Sequence, residues 1–274
     1  MVRSRLLAVA VGLACLTGCA SQPPSGAVSP PSPPTATASP TPVPVSTSAT
    51  AAAPVLSGRV IVIDAGHTGG WTSSWGYQQV PNGTGGTKPC NSSGTATRSG
   101  YAEHAYNFDQ AAALAKVLRA RGAVVLLNRT NDTTATDDLC VNHRADKANQ
   151  RRADLLISLH ADGNTSTGHR GFHIIISTAM QGGSRVMAES KTLARDLRHS
   201  LESEIGLPRS NYIGGGTAFS PRSDIATVNF AQRPAVMLEM GNMMNADDAA
   251  LFSSRRWREQ AAVALADGIQ AFLT

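Results

Sequence analysis

The sequence predicts a single α/β domain over residues 58–274, a mostly parallel, twisted β-sheet with helices on both faces. Three observations predict it. Strand and helix signals alternate from Gly58 onward. Their spacing makes strand–helix–strand units, which join parallel neighbours by crossovers. No repeat or second shift in composition divides the stretch after Gly58.

The elements follow in order. Arg59-Val60-Ile61-Val62-Ile63 is an apolar, β-branched run of the kind a doubly buried strand requires, and it stops abruptly at Asp64-Ala65-Gly66-His67. From Glu103 to Arg121, Phe108, Ala111, Ala112, Ala115 and Leu118 recur at three- and four-residue spacings, predicting a helix that Gly122 closes. Ala123 to Leu127 is a second strand, His143 to Arg152 a helix, Asp154 to Leu159 a third strand and Gly171 to Ser177 a fourth. Ser184 to Ile205 predicts a long amphipathic helix ending at Gly206, Pro234 to Met240 a fifth strand, and Ser254 to Leu273 a closing helix. Besides the fourth strand, one long helix and a glycine-rich connector separate His160 from Glu239, and no further helix is read there.

The first 57 residues read differently. Met1 to Arg5 is basic, and Leu6 to Leu16 is apolar but too short to remain as a membrane span. It ends in Leu16-Thr17-Gly18-Cys19, which resembles the lipobox of bacterial lipoproteins. Residues 1–18 are therefore expected to be a signal peptide and Cys19 the lipidated residue; an ordinary signal with an incidental cysteine is the alternative. Residues 19–57 carry no charge and no aromatic side chain and are mostly Ser, Pro, Thr, Ala, Gly and Val. Such a segment buries too little to fold, and at ~3.1 Å per residue its extended form reaches on the order of 120 Å. It is expected to be a tether between a membrane lipid and the domain.

Losing Arg3 and Arg5 leaves 22 basic against 19 acidic residues, a charge of about +3. No basic cluster with interleaved aromatics points to nucleic acid, and the domain is expected to act as a monomer. Cys15 falls in the signal and Cys19 at the lipid site, leaving Cys90 and Cys140. In an exported domain two such thiols pair, so a Cys90–Cys140 disulfide is expected.

Sites in open α/β sheets lie beyond the carboxyl ends of the strands. His67 follows the first strand, His160 ends the third and Glu239 lies near the end of the fifth, while Glu103 opens the first helix. Two imidazoles and a carboxylate make a common catalytic zinc shell, and a further carboxylate outside it can serve as general base. There is no G-x-S-x-G elbow and no H-E-x-x-H helix.

Four blocks carry a family resemblance: DAGHTGG, YAEHAYNFDQAAALAKVLRARGAVVLLNRT, HRADKANQRRADLLISLHADG and RPAVMLEMGNMMNADDAALF. Together, in order over the whole domain, they resemble the zinc-dependent N-acetylmuramoyl-L-alanine amidases of bacterial cell walls. The resemblance implies that His67, Glu103 and His160 bind Zn²⁺ and that Glu239 is the catalytic carboxylate. The substrate it implies is peptidoglycan, cut at the amide between N-acetylmuramic acid and L-alanine, in the cell envelope. Two positions depart from the family pattern: Ala65 stands for a proline, and Asp162 for an asparagine.

Each site residue also has a plainer role open to it. A histidine after a strand can be structural, and Glu103 can simply favour the positive end of its helix. His104 competes with Glu103, but adjacent helix residues point about 100° apart, so one of them faces the metal; Glu103 is preferred. Asp64 either orients a ligand histidine or caps the next turn. Arg144 and Asn149 are expected to organise the fold, and His173 heads for the face of the site. Trp71, Trp75 and Tyr77 either line a sugar groove or pack their loop. A zinc peptidase cutting within the stem peptide and a non-catalytic wall-binding lipoprotein are the rival readings.

Overall fold

The computed structural model describes residues 53–274, so the expected signal peptide, Cys19 and nearly all of the expected tether lie outside the described residues. The chain enters the sheet with β1 (Val60–Ala65), followed by a short helix α1 (Ser73–Gly76) and a two-stranded hairpin of β2 (Gln79–Pro81) and β3 (Thr87–Pro89). Helix α2 (Glu103–Ala120) leads to β4 (Val124–Leu127), then α3 (Asp146–Gln150), β5 (Leu155–Asp162) and β6 (His173–Ser177). Helix α4 (Gly183–Ile205) precedes β7 (Phe219–Arg222), α5 (Ala226–Asn229), β8 (Ala235–Asn242), α6 (Ala246–Ser253) and α7 (Arg255–Leu273).

Six strands form one sheet in the order β4-β1-β5-β8-β6-β7. All neighbours are parallel except β6 and β8, which run antiparallel. The expected mostly parallel α/β domain is therefore the architecture observed.

The apolar runs explain it. Successive strand residues face opposite sides, so a strand covered on both faces needs an unbroken apolar run. Ile61 and Ile63 of β1 join Leu114, Leu118, Leu193, Leu197, Leu265 and Ile269 of α2, α4 and α7 in one core. Val62, Leu156 and Met237 face the other way, into a smaller core with Ala148 of α3 and Val228 of α5. Complete burial of each such Ile or Leu is worth about 1.5–3 kcal/mol.

The structure also departs from the sequence expectations. Helix α3 spans only Asp146–Gln150, because Asn142 to Ala145 form turns that aim the Arg144 side chain inward. Strand β5 runs on to Asp162 rather than stopping at Leu159. The β2–β3 hairpin, β7 and α6 lie in segments where no element was expected. The fold also reaches back beyond Gly58: Leu56, inside the expected tether, is buried in the main core, and its N–H donates to Arg121 O at 2.9 Å.

Candidate metal centre and groove

The site is built where β1, β5 and β8 end beside the start of α2. Glu103 is the first residue of α2, and its N–H donates to Thr95 O at 2.8 Å while Thr95 N–H donates back to Glu103 Oε2 at 3.0 Å. That exchange fixes the carboxylate at the helix start. His160 sits in β5, with Glu239 of β8 as its direct partner across the parallel ladder. His173, the first residue of β6, is the partner of Glu239 on the other side. Directly opposed ladder residues share a face, so His160, Glu239 and His173 form one row across the sheet.

His67 reaches the same place differently. It has φ 57°, in the left-handed region that side-chain-bearing residues avoid at a cost of order 1–3 kcal/mol. Arg144 holds that turn: Nη2 donates to His67 O at 3.2 Å, Nη1 to Ala65 O at 3.2 Å, and Nε to Leu139 O at 3.0 Å. The same guanidinium pairs with the fully buried Asp64 at 2.5 Å, and Ser158 Oγ donates to the other Asp64 oxygen at 2.7 Å. Asp64 therefore orients no ligand ring directly; it anchors Arg144, which anchors the His67 turn.

His67 Nε2 lies 3.1 Å and His160 Nδ1 3.0 Å from Glu103 Oε1. One ligand atom from each of His67, Glu103 and His160 lies within 4.8 Å of the others. Tetrahedral zinc ligands at about 2.0–2.1 Å from the ion are roughly 3.3 Å apart, so the two measured edges have the size such an ion needs. His67 Nδ1 faces Ser92 O at 2.9 Å, the carbonyl contact that leaves Nε2 free as a ligand. Two glycines make the room. A Cβ on Gly66 would stand 2.3 Å from the His160 ring, and one on Gly94 would stand 2.8 Å from Glu103 Oε2. The donor set and the space fit one zinc ion.

Electrostatics within the cluster follow from burial. Burial raises the Glu103 pKa, but the two imidazoles outweigh it and hold the carboxyl well below its usual range. Burial disfavours charge on both histidines; the Glu103 carboxylate reverses this at His67, whose pKa is raised, whereas His160 is lowered. Glu239 behaves oppositely to Glu103. Burial, reinforced by the Glu103 and Asp162 carboxylates, pushes its pKa well above the usual value. Its Oε2 is shut off from solvent and has no hydrogen-bond partner among the described residues.

Other expectations find their places. His104 turns away from the cluster and pairs with Asp132 at 2.6 Å. Asn149 ties α3 to the approach of β8 by donating to Phe230 O and accepting from Gln232 N. Trp71 Nε1 donates to Asn91 O and Trp71 meets Tyr77 edge-on at 5.5 Å, whereas Trp75 Nε1 donates to Asp137 Oδ1 of another loop and Tyr77 is 62% exposed. Cys90 and Cys140 form a disulfide across a sequence separation of 50 residues. Asp162 accepts from Tyr212 Oη at 2.8 Å, and Tyr212 in turn stacks on His169 at 4.7 Å. His143 pairs with Asp146, away from the cluster, and His199 lies on α4.

Sequence reasoning missed Arg129 and Asn107. Arg129 donates to Ala65 O and His104 O, joining the end of β1 to the start of α2. Asn107 Nδ2 donates to Gly66 O at 3.3 Å and Glu103 Oε1 at 3.4 Å, one helical turn after Glu103. The i+4 spacing was the available signal for Asn107. A cavity of about 460 Å³ opens over the centre, walled by His67, Glu103, His160, Glu239, Asp162 and, on the hairpin side, Lys88.

A parallel-sheet α/β domain whose strand ends gather two imidazoles and a carboxylate beside a buried acid has the build of a hydrolase with room for one metal ion. Residues 61–271 match the family model for N-acetylmuramoyl-L-alanine amidase, and the chain belongs to that family of enzymes. It is 42% identical over 222 residues to the N-acetylmuramoyl-L-alanine amidase Rv3717 of Mycobacterium tuberculosis, covering 80% of this chain and 88% of that protein. Its structure is similar to that of the N-acetylmuramyl-L-alanine amidase Ami1 from Mycobacterium smegmatis, with TM-score 0.74 and 39% identity over 80% of this chain and 98% of that one. The apo form of Ami1 from Mycobacterium abscessus aligns with the same TM-score at 37% identity, over 80% of this chain and all of that one.

Proposed function

We propose that this protein is a zinc-dependent peptidoglycan hydrolase that cleaves the amide between N-acetylmuramic acid and the L-alanine of the stem peptide. The observation that carries the reading is the unpartnered, solvent-shielded Glu239 Oε2 next to the His67–Glu103–His160 cluster. An acid left without a partner in such a place is costly unless the working site supplies one.

Zinc held by His67 Nε2, Glu103 Oε1 and His160 Nδ1 would supply Lewis-acid polarisation of the scissile carbonyl and make water at the site more acidic. Glu239 takes a proton from the attacking water, whose oxygen adds to the carbonyl carbon. As the C–N bond breaks, Glu239 passes that proton to the departing alanine nitrogen. The muramic side leaves as a carboxylate and the peptide with a free amine. Gly66 and Gly94 keep the walls thin enough for the rings and carboxylate to converge.

The protein is further proposed to work in the cell envelope, with a signal peptide at residues 1–18, a lipid on Cys19 and a tether holding the domain of residues 58–274 off the membrane. No helix among the described residues is long and apolar enough to cross a membrane.

The test is mass spectrometry of muropeptides incubated with the protein, with and without chelator. Free L-alanine amines that appear only without chelator are expected, whereas cuts inside the stem peptide would favour the peptidase reading. Glu239→Ala should retain stoichiometric zinc and lose roughly 10²–10⁴-fold in kcat; near-normal turnover removes Glu239 from the mechanism.

A further inference from the structure

The hairpin reaches into the site in a way the hydrolysis itself does not use. Lys88 lies at the centre of β3, opposite Val80 of β2, and its side chain walls the same cavity as Glu239. Two residues on, Cys90 is bridged to Cys140, so the strand that carries Lys88 is anchored covalently. Lys88 Nζ donates to Asp224 O at 2.7 Å. An ammonium has three N–H groups, and no other hydrogen bond to this one occurs among the described residues.

The charge on Lys88 is also not neutralised. The adjacent Asp224 carboxylate is taken by Arg222, through Nε at 2.8 Å and Nη2 at 2.6 Å, and offers Lys88 only its backbone carbonyl. Burial lowers the Lys88 pKa, with Asp224 opposing and Arg222 adding to the shift. Glu239 and Asp162 line the same cavity.

We propose that Lys88 is a specificity-determining residue that binds a free carboxylate on the peptide side of the substrate. This rests on the amidase reading above. In that reaction the muramic carboxyl is consumed in the scissile amide, so the acid that Lys88 meets belongs to the peptide. The alanine carboxyl is itself an amide wherever a residue follows it, so the nearest free acid on that side is carried by the residue directly after the alanine.

The experiment compares matched muramoyl peptides in which the residue after alanine bears either a free carboxylate or a carboxamide. The full mature chain is expected to show about tenfold higher kcat/KM for the carboxylate, expressed in KM, as a charge-assisted hydrogen bond provides. Lys88→Gln should bring the two substrates level, and Lys88→Arg should keep the preference. If Lys88→Gln does not fold, the unaltered protein decides: the preference should shrink as salt rises from about 0.05 to 0.5 M. Equal cleavage of both substrates, a preference that survives Lys88→Gln, or one indifferent to salt overturns the carboxylate subsite alone. Cleavage of neither substrate overturns the amidase reading and this proposal with it.

Discussion

Replacing Arg144 by methionine tests whether the His67 turn hangs on a buried ion pair. Arg144 is 2% exposed and Asp64 0%. The substitution removes the 2.5 Å pair and three hydrogen bonds to the carbonyls of Ala65, His67 and Leu139. Asp64 would be left with Ser158 Oγ and Asn128 Nδ2, both neutral donors. Breaking one partner out of a buried pair costs about 3–5 kcal/mol, and each kcal/mol moves Tm by about 2–4 °C in a domain of this size. Thermal unfolding at pH 7 should therefore fall by about 6–20 °C. The pH dependence is the sharper readout. In the unaltered protein burial opposes ionisation of Asp64, but Arg144 outweighs it and holds the pKa below its ordinary value. That contribution is present above the unfolded value near 3.9 and is lost as pH falls through the folded one. In the variant burial, the largest influence, is opposed only by the Ser158 hydrogen bond and the nearby His160, so the pKa rises and the native state binds the proton more tightly than the unfolded chain. The deficit should then shrink as pH falls from 7 toward 4.5. A loss under about 1 kcal/mol, or a deficit that does not change with pH, would refute the reasoning.

Two further outcomes are expected. Burial pushes the His173 pKa down to about 4 from 6.5, against the opposing pull of Asp162; full stability is kept above pH 6.5, and up to about 3 kcal/mol is lost as pH falls toward 4. Urea titrations should show a shallower acid slope in His173→Gln, and an unchanged slope would assign the acid sensitivity elsewhere. Opening the Cys90–Cys140 bridge, which closes a span of 50 residues, should cost about 4 kcal/mol of unfolding free energy; two titratable thiols in denatured, unreduced protein lacking residues 1–19 would contradict the bridge itself.

The sheet was legible because burial on both faces leaves its mark within each strand: the run from Val60 to Ile63 needs no distant information to be read. The helices α2, α4 and α7 were legible from their periodic apolar faces. The hairpin was not. Gln79–Pro81 and Thr87–Pro89 are three-residue strands ending in proline, and they are placed by the disulfide, by Lys88 on Asp224 and by Asn229 Nδ2 on Asn82 O. Strand β7 reads Phe-Ser-Pro-Arg and carries no pattern of its own; it pairs because β6 offers a free edge. Leu56 was invisible for a related reason, since a lone leucine in a Pro/Ala/Ser segment has no period and is buried by the end of α2. Among site residues, His67, His160 and Glu239 stand at strand ends, where a topological rule looks for them. Arg144 and Lys88 act over separations of 80 and 136 residues, which no local window contains.

The lateral row from His160 through Glu239 to His173 is set by ladder pairing on either side of β8. Two of its spacings are thus inherited from backbone registration rather than from loop conformation. Insertions or deletions in the hairpin, or in the turn between β7 and α5, would reshape what the groove admits while leaving the Glu239 carboxyl at its post. Such a scaffold lets selectivity drift or be engineered without re-solving the chemistry each time. Conversely, a slip of one residue in β8 would turn Glu239 to the opposite face of the sheet, so β8 is where the scaffold tolerates least change.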